Sequence, residues 1–114
     1  MLEHGDFVLW ESNAIAFYLA EGTDFLPEGR LERAQVLQWM FFEQYSHEPY
    51  VAVRRFQIVY EGKAEAEIAP YLKARGDQAL ARMETWLGSS PYLVDGKLSL
   101  ADIALIAYTR LAHE

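Results

Sequence analysis

The stretch Glu11-Ser12-Asn13-Ala14-Ile15 joins a short apolar segment, Phe7 to Trp10, to a segment with helical periodicity. Ser12 is a residue type that favours the N-cap position of a helix. The free amide groups of a first helical turn and the positive end of the helix dipole attract a carboxylate, and Glu11 can accept hydrogen bonds from an ammonium group. The pair predicts a site for a carboxylate beside an amine, as in a free α-amino acid or a γ-glutamyl group. A simple helix cap is the alternative interpretation.

The residues around this stretch predict a hairpin followed by a helix. Leu2 to Trp10 can form two short strands that turn at His4-Gly5-Asp6, where Gly5 permits the turn geometry. From Ser12 to about Glu21, an apolar stripe is expected on one helix face, with Gly22 ending the helix. The stripe consists of Ile15, Tyr18 and Leu19.

A long helix is predicted from Arg30, and it is apolar on two sides. One stripe contains Leu31, Ala34, Leu37, Phe41 and Tyr45; the second contains Val36, Trp39, Met40 and Phe42. A helix that is apolar on two sides is expected to be buried on both. We therefore expect a partner surface, which is a missing N-terminal domain, a second subunit, or both. A docking role predicts contact through the second stripe.

Prolines and a serine predict the later helix boundaries. Pro49 should kink or break the long helix near His47, with helix resuming from Tyr50 to about Tyr60. A second long helix is expected from about Ala64 to Leu87, with Pro70 tolerated in its first turns. Ser99 and Asp102 have the spacing of a capping box, which predicts a structural role for both and a final helix suited to a central position.

Composition excludes several classes of protein. The chain has 114 residues, 52% of them hydrophobic, which predicts one folded domain at most. Its net charge of −7 disfavours nucleic acid as a partner, and the adjacent Arg54 and Arg55 are typical of a solvated helix edge. No segment reaches the roughly 18 apolar residues of a membrane span, so we expect no membrane partner. The absence of cysteine is compatible with a cytoplasmic location.

The histidines and acidic residues show no pattern of a metal or catalytic site. His4, His47 and His113 are far apart in the sequence, with neither a Ser/His/Asp order nor a His-x-x-x-His spacing. We therefore predict no metal site and assign no catalytic residue.

Three motifs in the same order resemble the cytosolic glutathione S-transferases. The run from Gly5 to Ala20 is similar to the end of that family's thioredoxin-like domain, Arg33-Ala34-Gln35-Val36 to the start of its helical domain, and Leu98 to Ala104 to its buried folding motif. The resemblance implies a mainly α fold, in which a transferase-type helical bundle follows a hairpin and helix left from a thioredoxin-like domain. It implies a division into residues 1–22 (domain remnant), 23–29 (linker) and 30–114 (helical domain, incomplete at its C-terminus).

The resemblance also implies a function. In the family, the Glu-Ser pair holds the γ-glutamyl end of glutathione, which implies that role for Glu11 and Ser12, with glutathione as a substrate that is conjugated to electrophiles. The unit that activates the glutathione sulfur does not precede Met1, so we expect only part of the site and little or no transferase activity. Whether the chain is an enzyme therefore stays open. A homodimer is a further implied partner.

Two alternatives to a transferase role stay open. The first is a non-catalytic helical module for protein–protein interaction, and the second is a bundle that shares only the fold. Tyr45 and Tyr50 lie in the helix from which the family lines its electrophile pocket, so the resemblance implies that they border such a pocket. Aromatic residues of this kind are also common in cores and interfaces.

Overall fold

The computed structural model describes all residues, 1–114, and is built mainly from helices. A hairpin of two antiparallel strands, β1 (Leu2–His4) and β2 (Phe7–Leu9), precedes five α-helices. The helices are α1 (Ser12–Ala20), α2 (Arg30–Phe42), α3 (Glu48–Val59), α4 (Pro70–Leu87) and α5 (Leu100–Thr109). The mainly α fold class predicted from the sequence is confirmed. None of these helices is both long and apolar enough to cross a membrane.

The hairpin forms at the predicted turn, but α1 packs through an unexpected face. Leu2 pairs with Leu9, and Gly5 turns the chain with φ +59°. In α1 the buried residue is Ala20, with Phe17 packed against the core beside it, whereas Tyr18 and Leu19 are exposed. The predicted apolar stripe is therefore not the packing face. α1 is apolar on nearly every side, so periodicity could not select a face, and its small residues allow close contact with the core.

Helices α2 and α3 are continuous through a π-helical turn, Glu43–His47. The sequence predicted a kink or break near His47, and the chain stays helical there, although the π-helical turn that ends at His47 interrupts the regular α-helix just before Pro49. The amide of Glu48 donates to the carbonyl of Glu43, five residues earlier. The wider turn thus accommodates the proline without ending the helix.

Only one of the two apolar sides of α2 is covered. Val36, Trp39 and Met40 are all buried in the core, so the predicted docking face is not available to a partner. The other stripe is exposed, with Leu31 at 75%, Phe41 at 71% and Tyr45 at 82%. We call this exposed stripe, Leu31, Leu37, Phe41 and Tyr45, the α2 stripe.

The helix α4 begins six residues later than the sequence suggested. Residues 65–67 form a separate 3₁₀ turn, the backbone is extended at Ile68, and Pro70 is the first residue of α4. The extended residues before the proline follow from its steric effect on the preceding backbone. Gly76, which weakens a helix by propensity alone, is buried against α3, where an added Cβ would lie 3.5 Å from a methyl group of Val51. The close packing of α3 and α4 therefore explains why a glycine lies inside α4.

The central helix α5 completes the core. Leu100, Ala101 and Leu105 are at most 3% exposed, and they pack with residues of α2, α4 and the segment that precedes α5. The opposite face of α5 is open, since Ile103 is 42% and Ile106 54% exposed. The prediction of a central position is thus correct for one face of α5 only.

Candidate ligand site at the start of α1

The first turn of α1 has an unusual entry. Glu11 is the N-cap residue, with φ 73° and ψ 122°, a conformation that non-glycine residues rarely adopt. Ser12 is the first helical residue, so its predicted N-cap position is wrong. No side chain caps the helix start, and both Glu11 and Ser12 are exposed. The positive end of the helix dipole is therefore open to a solute.

Asn13 fixes this helix start to the rest of the protein. Its amide nitrogen Nδ2 donates to the carbonyl oxygen of Met40 at 3.2 Å and to Oε2 of Glu43 at 3.0 Å. Glu43 is only 3% exposed and also accepts a hydrogen bond from Nε2 of Gln44 at 2.7 Å. These bonds hold the first turn of α1 against the π-helical turn. The sequence contained a signal for this contact, a single acidic residue on the buried side of an apolar helix.

Two cavities meet at this helix start. The first, which we call the hairpin groove, has a volume of about 780 Å³ and lies between β2, α1 and α2. Glu11 lines it, together with apolar residues that include Phe7, Leu9 and Phe17. The second, which we call the α5 cleft, has a volume of about 460 Å³, and Ser12 lines it. Glu11 and Ser12 therefore border two adjoining spaces.

The α5 cleft combines carboxylates with an apolar wall. Glu43 and Glu48 line it on one side, and Ile103 and Tyr108 of α5 line it on the other. Burial raises the pKa of the Glu48 carboxyl above its ordinary value, and the nearby charge of Glu43 raises that pKa further. Glu48 was not singled out from the sequence, because a lone acidic residue before a proline is common in a solvated helix.

Tyr45 and Tyr50 line a cavity that differs from the two at the start of α1. They line a third cavity of about 430 Å³, which includes neither Glu11 nor Ser12. Its lining residues are Phe42, Tyr45, Ser46, Tyr50, Arg75, Gln78, Ala79 and Arg82. We call this cavity the arginine groove.

The remaining predicted residues have structural positions. Oδ2 of Asp102 accepts hydrogen bonds from the backbone N–H and the hydroxyl of Ser99, at 2.9 and 2.8 Å. Arg54 and Arg55 form ion pairs with Glu65 and Glu114. No group of three or more acidic or histidine side chains is placed to hold a metal ion.

His47 lies in the protein interior rather than at a cavity. It is fully buried, and its Nε2 is 2.9 Å from the hydroxyl of Thr109. That hydroxyl donates to the carbonyl of Leu105, so His47 donates through Nε2, and its buried Nδ1 has no partner. Burial lowers the pKa of His47 to about 4. His47 is therefore a neutral core residue at pH 7.

Comparisons with known proteins agree with this architecture. The family model of the glutathione S-transferase C-terminal domain matches residues 37–114, and that of the N-terminal domain matches residues 1–21. This chain is similar to the crystal structure of a glutathione S-transferase from Pseudomonas fluorescens, with 56% sequence identity and a TM-score of 0.88. The match covers 92% of this chain and 53% of that transferase. Glutathione S-transferase F14 of Arabidopsis thaliana is 34% identical, and the match covers 94% of this chain and 46% of that protein.

A protein that is not named as a glutathione S-transferase matches as well. Elongation factor 1-gamma of Artemia salina is 33% identical over 95 residues, which cover 83% of this chain and 22% of that protein. The chain thus spans about half the length of the transferases it matches and less of the elongation factor. With one family model matching more than half of its residues, this chain belongs to the glutathione S-transferase family.

Proposed function

We propose that this chain holds the γ-glutamyl end of glutathione at the start of α1, as part of a protein that conjugates glutathione to electrophiles. The observation that carries the proposal is the uncapped, exposed first turn of α1, with Glu11 at its entry. The carboxylate of glutathione would lie against the helix start beside Ser12, and its ammonium group beside Glu11. The hydrogen bonds of Asn13 support the proposal, because they fix the turn before any ligand arrives.

The electrophile would lie in the α5 cleft rather than beside Tyr45 and Tyr50. The cleft adjoins Ser12 and combines the apolar residues of α5 with Glu48, a carboxyl whose raised pKa suits hydrogen bonding to a polar substrate group. The two tyrosines open into the arginine groove instead. We therefore propose Glu48, Ile103 and Tyr108 as the residues that contact this substrate.

Chemistry at sulfur requires a group that stabilises the thiolate. We assign the stabilisation of the thiolate to none of the residues that line the hairpin groove or the α5 cleft. We therefore expect this polypeptide alone to bind glutathione weakly and to show little or no conjugation activity. Turnover comparable to that of a full-length transferase, in a conjugation assay at saturating glutathione, would contradict this expectation.

Calorimetric titration with glutathione tests the binding site. We expect Glu11→Gln and Ser12→Ala each to weaken binding about tenfold, because the first removes the charge that attracts the ammonium group and the second removes a hydroxyl that can donate to the carboxylate. Glu28→Gln is the matched control, because Glu28 is also an exposed carboxylate but lies outside both cavities. Equal affinity in all four proteins would refute the site.

A second candidate function is a docking module, and the α2 stripe favours it. Its four residues include the strongly exposed Leu31, Phe41 and Tyr45, and such a row of apolar side chains on one helix is typical of an interaction surface. A homodimer through the same stripe is compatible with either function.

Sedimentation velocity tests whether the α2 stripe forms a homodimer. If the α2 stripe mediates self-association, Phe41→Glu should convert a dimer to a monomer, whereas Val59→Glu should not. Val59 is a suitable control because it is an exposed apolar residue on a different helix. A wild-type protein that stays monomeric at all accessible concentrations would exclude the homodimer.

A further inference from the structure

His47 is a buried polar residue that the proposed binding site does not use. It is the last residue of the π-helical turn, and its side chain is fully buried. Its Nε2 is hydrogen-bonded to the hydroxyl of Thr109, whereas its Nδ1 has no partner. A buried nitrogen without a partner destabilises the folded state, and an apolar side chain of similar size would avoid that cost. The single hydrogen bond of His47 is therefore what distinguishes it from a leucine at this position.

This hydrogen bond links two helices that no other side-chain hydrogen bond joins. It connects α5 to the continuous helix that the π-helical turn forms with α3, over 2.9 Å. The ion pair of Arg55 with Glu114 lies beyond the end of α5. Thr109 is itself held in place, because its hydroxyl donates to the carbonyl of Leu105 at 2.7 Å. Its oxygen is therefore a fixed acceptor for His47.

Both partners of the bond are next in sequence to residues that line the α5 cleft. Glu48 follows His47 and lines one side of the cleft, and Tyr108 precedes Thr109 and lines the other. Successive residues of a helix point about 100° apart, so one residue of each pair can face the core while its neighbour faces the cleft. The π-helical turn contributes to this arrangement, because its extra residue rotates α3 relative to α2. The bond therefore joins the two walls of the cleft from the core side.

We propose that His47 and Thr109 form a positioning pair, which holds the walls of the α5 cleft at a fixed separation and thereby sets which electrophiles the cleft accepts. The pair acts through its neighbours, Glu48 and Tyr108, because neither His47 nor Thr109 lines the cleft. Side chains that contact a substrate are placed accurately only when the residues behind them are held by packing and hydrogen bonds. The selectivity rests on the proposed role of the cleft as the electrophile site, whereas the positioning of Glu48 does not.

The pKa of the Glu48 carboxyl reports this positioning in solution. Burial raises that pKa, so it should fall when the walls separate and water enters. Thr109→Val keeps the shape of threonine but removes the acceptor, and His47→Leu removes the donor together with the unpartnered nitrogen. We expect both variants to lower the pKa of Glu48 towards its ordinary value, as measured by NMR titration. His47→Leu leaves no buried polar group unpaired, so it is expected to fold even if Thr109→Val does not.

Thr109→Ser and Thr85→Val are the matched controls for this measurement. Serine retains the hydroxyl that His47 needs. Thr85 donates to the carbonyl four residues earlier at 2.8 Å, as Thr109 does, but it bonds no histidine. Both controls should leave the pKa of Glu48 unchanged. A purely structural role predicts instead that Thr109→Val lowers the free energy of unfolding while the pKa of Glu48 is the same in every variant, and that result would overturn the proposal.

Two neutral probes of different width, benzyl alcohol and naphthylmethanol, test the selectivity. The hydroxyl of each can donate to Glu48, and NMR signals of Glu48 and Ile103 report binding in the cleft. The ratio of the two dissociation constants should change at least about threefold in Thr109→Val and His47→Leu, and in neither control. An unchanged ratio would refute the selectivity. If the wild type binds neither probe, the cleft is not the electrophile site and the selectivity is refuted with it, while the pKa of Glu48 still decides whether the pair positions that residue.

Discussion

The starts of α1 and α5 each contain a serine, but the two first turns are used in opposite ways. At α5, the carboxylate of Asp102 accepts hydrogen bonds from Ser99 and from the backbone N–H of Leu93, and the amide of Leu100 donates to the carbonyl of Phe25 at 2.8 Å. Ser99 is 2% exposed. At α1, no side chain caps the helix, and its first residues are exposed. One helix start is closed by the protein, and the other is available to a ligand.

The difference lies three residues beyond each N-cap. At α5 that residue is Asp102, which reaches back to the N-cap backbone. At α1 it is Ala14, which has no group that could do so. A helix start that must bind a carboxylate cannot also be occupied by its own side chains, so the absence of a capping box at α1 is consistent with a binding role. The following predictions test this contrast.

Removing Asp102 should have the largest effect. Asp102→Ala leaves the buried amides of Leu93 and Ser99 without their acceptor, and it also removes the helix cap. We expect the free energy of unfolding to fall by about 4 kcal/mol, measured by urea denaturation. Asp77→Ala is the control, because Asp77 forms only an exposed ion pair with Lys73, and its loss should cost about 0.5 kcal/mol or less. Similar losses in both variants would show that α5 is not fixed by its cap.

The other end of α5 is fixed by His47, which should make stability depend on pH. The folded-state pKa of about 4 lies below the ordinary value of 6.5, so the unfolded chain takes up a proton first as the pH falls. The stabilisation is complete above pH 6.5 and is lost between 6.5 and about 4. The difference between the two pKa values corresponds to about 3 kcal/mol in the free energy of unfolding. Urea denaturation at a series of pH values measures it.

His47→Gln is the control for this pH dependence, because glutamine has no proton to gain. The variant should lose less stability than the wild type between pH 6.5 and 4, whatever its stability at pH 7. Carboxylates that titrate in the same range contribute equally to both proteins. Parallel curves would therefore show that His47 does not carry the effect.

Sequence patterns predicted α5 well because its cap is local. Ser99 and Asp102 are three residues apart, and their hydrogen bonds need no other part of the chain. The hairpin was predictable for the same reason, since Gly5 marks its turn. At Pro49 the proline rule located the irregularity near His47 but not its form, which is a π-helical turn rather than the end of a helix.

The start of α1 could not be predicted in detail. The backbone of Glu11 has a positive φ, which no propensity scale assigns to glutamate. The first turn of α1 is also held by Asn13, which contacts a residue 30 positions away in the sequence. The open cavities depend on which helix faces are covered, and α2 is apolar on two sides. A pattern with two apolar faces does not show which one the chain itself will bury.

The contact between Asn13 and Glu43 should have an intermediate effect on stability. Glu43→Ala removes the acceptor of a partly buried amide, which we expect to cost about 2 kcal/mol and to weaken glutathione binding by loosening the first turn of α1. Glu43→Gln keeps an acceptor but removes the charge, so it should cost less and lower the pKa of Glu48, as measured by NMR titration. If glutathione affinity is unchanged in Glu43→Ala, the contact does not position the site.

Glu11→Gly should have the smallest effect on stability and the opposite sign. Glycine adopts a positive φ without strain, so we expect the free energy of unfolding to rise by about 1 kcal/mol, although the variant removes a side chain. Glu11→Gln retains the strained backbone and should leave stability unchanged. Both variants should bind glutathione less tightly, since both lack the carboxylate. A gain in stability combined with a loss of binding would indicate that the strain at Glu11 is retained for its side chain, whereas unchanged binding in both would remove Glu11 from the site.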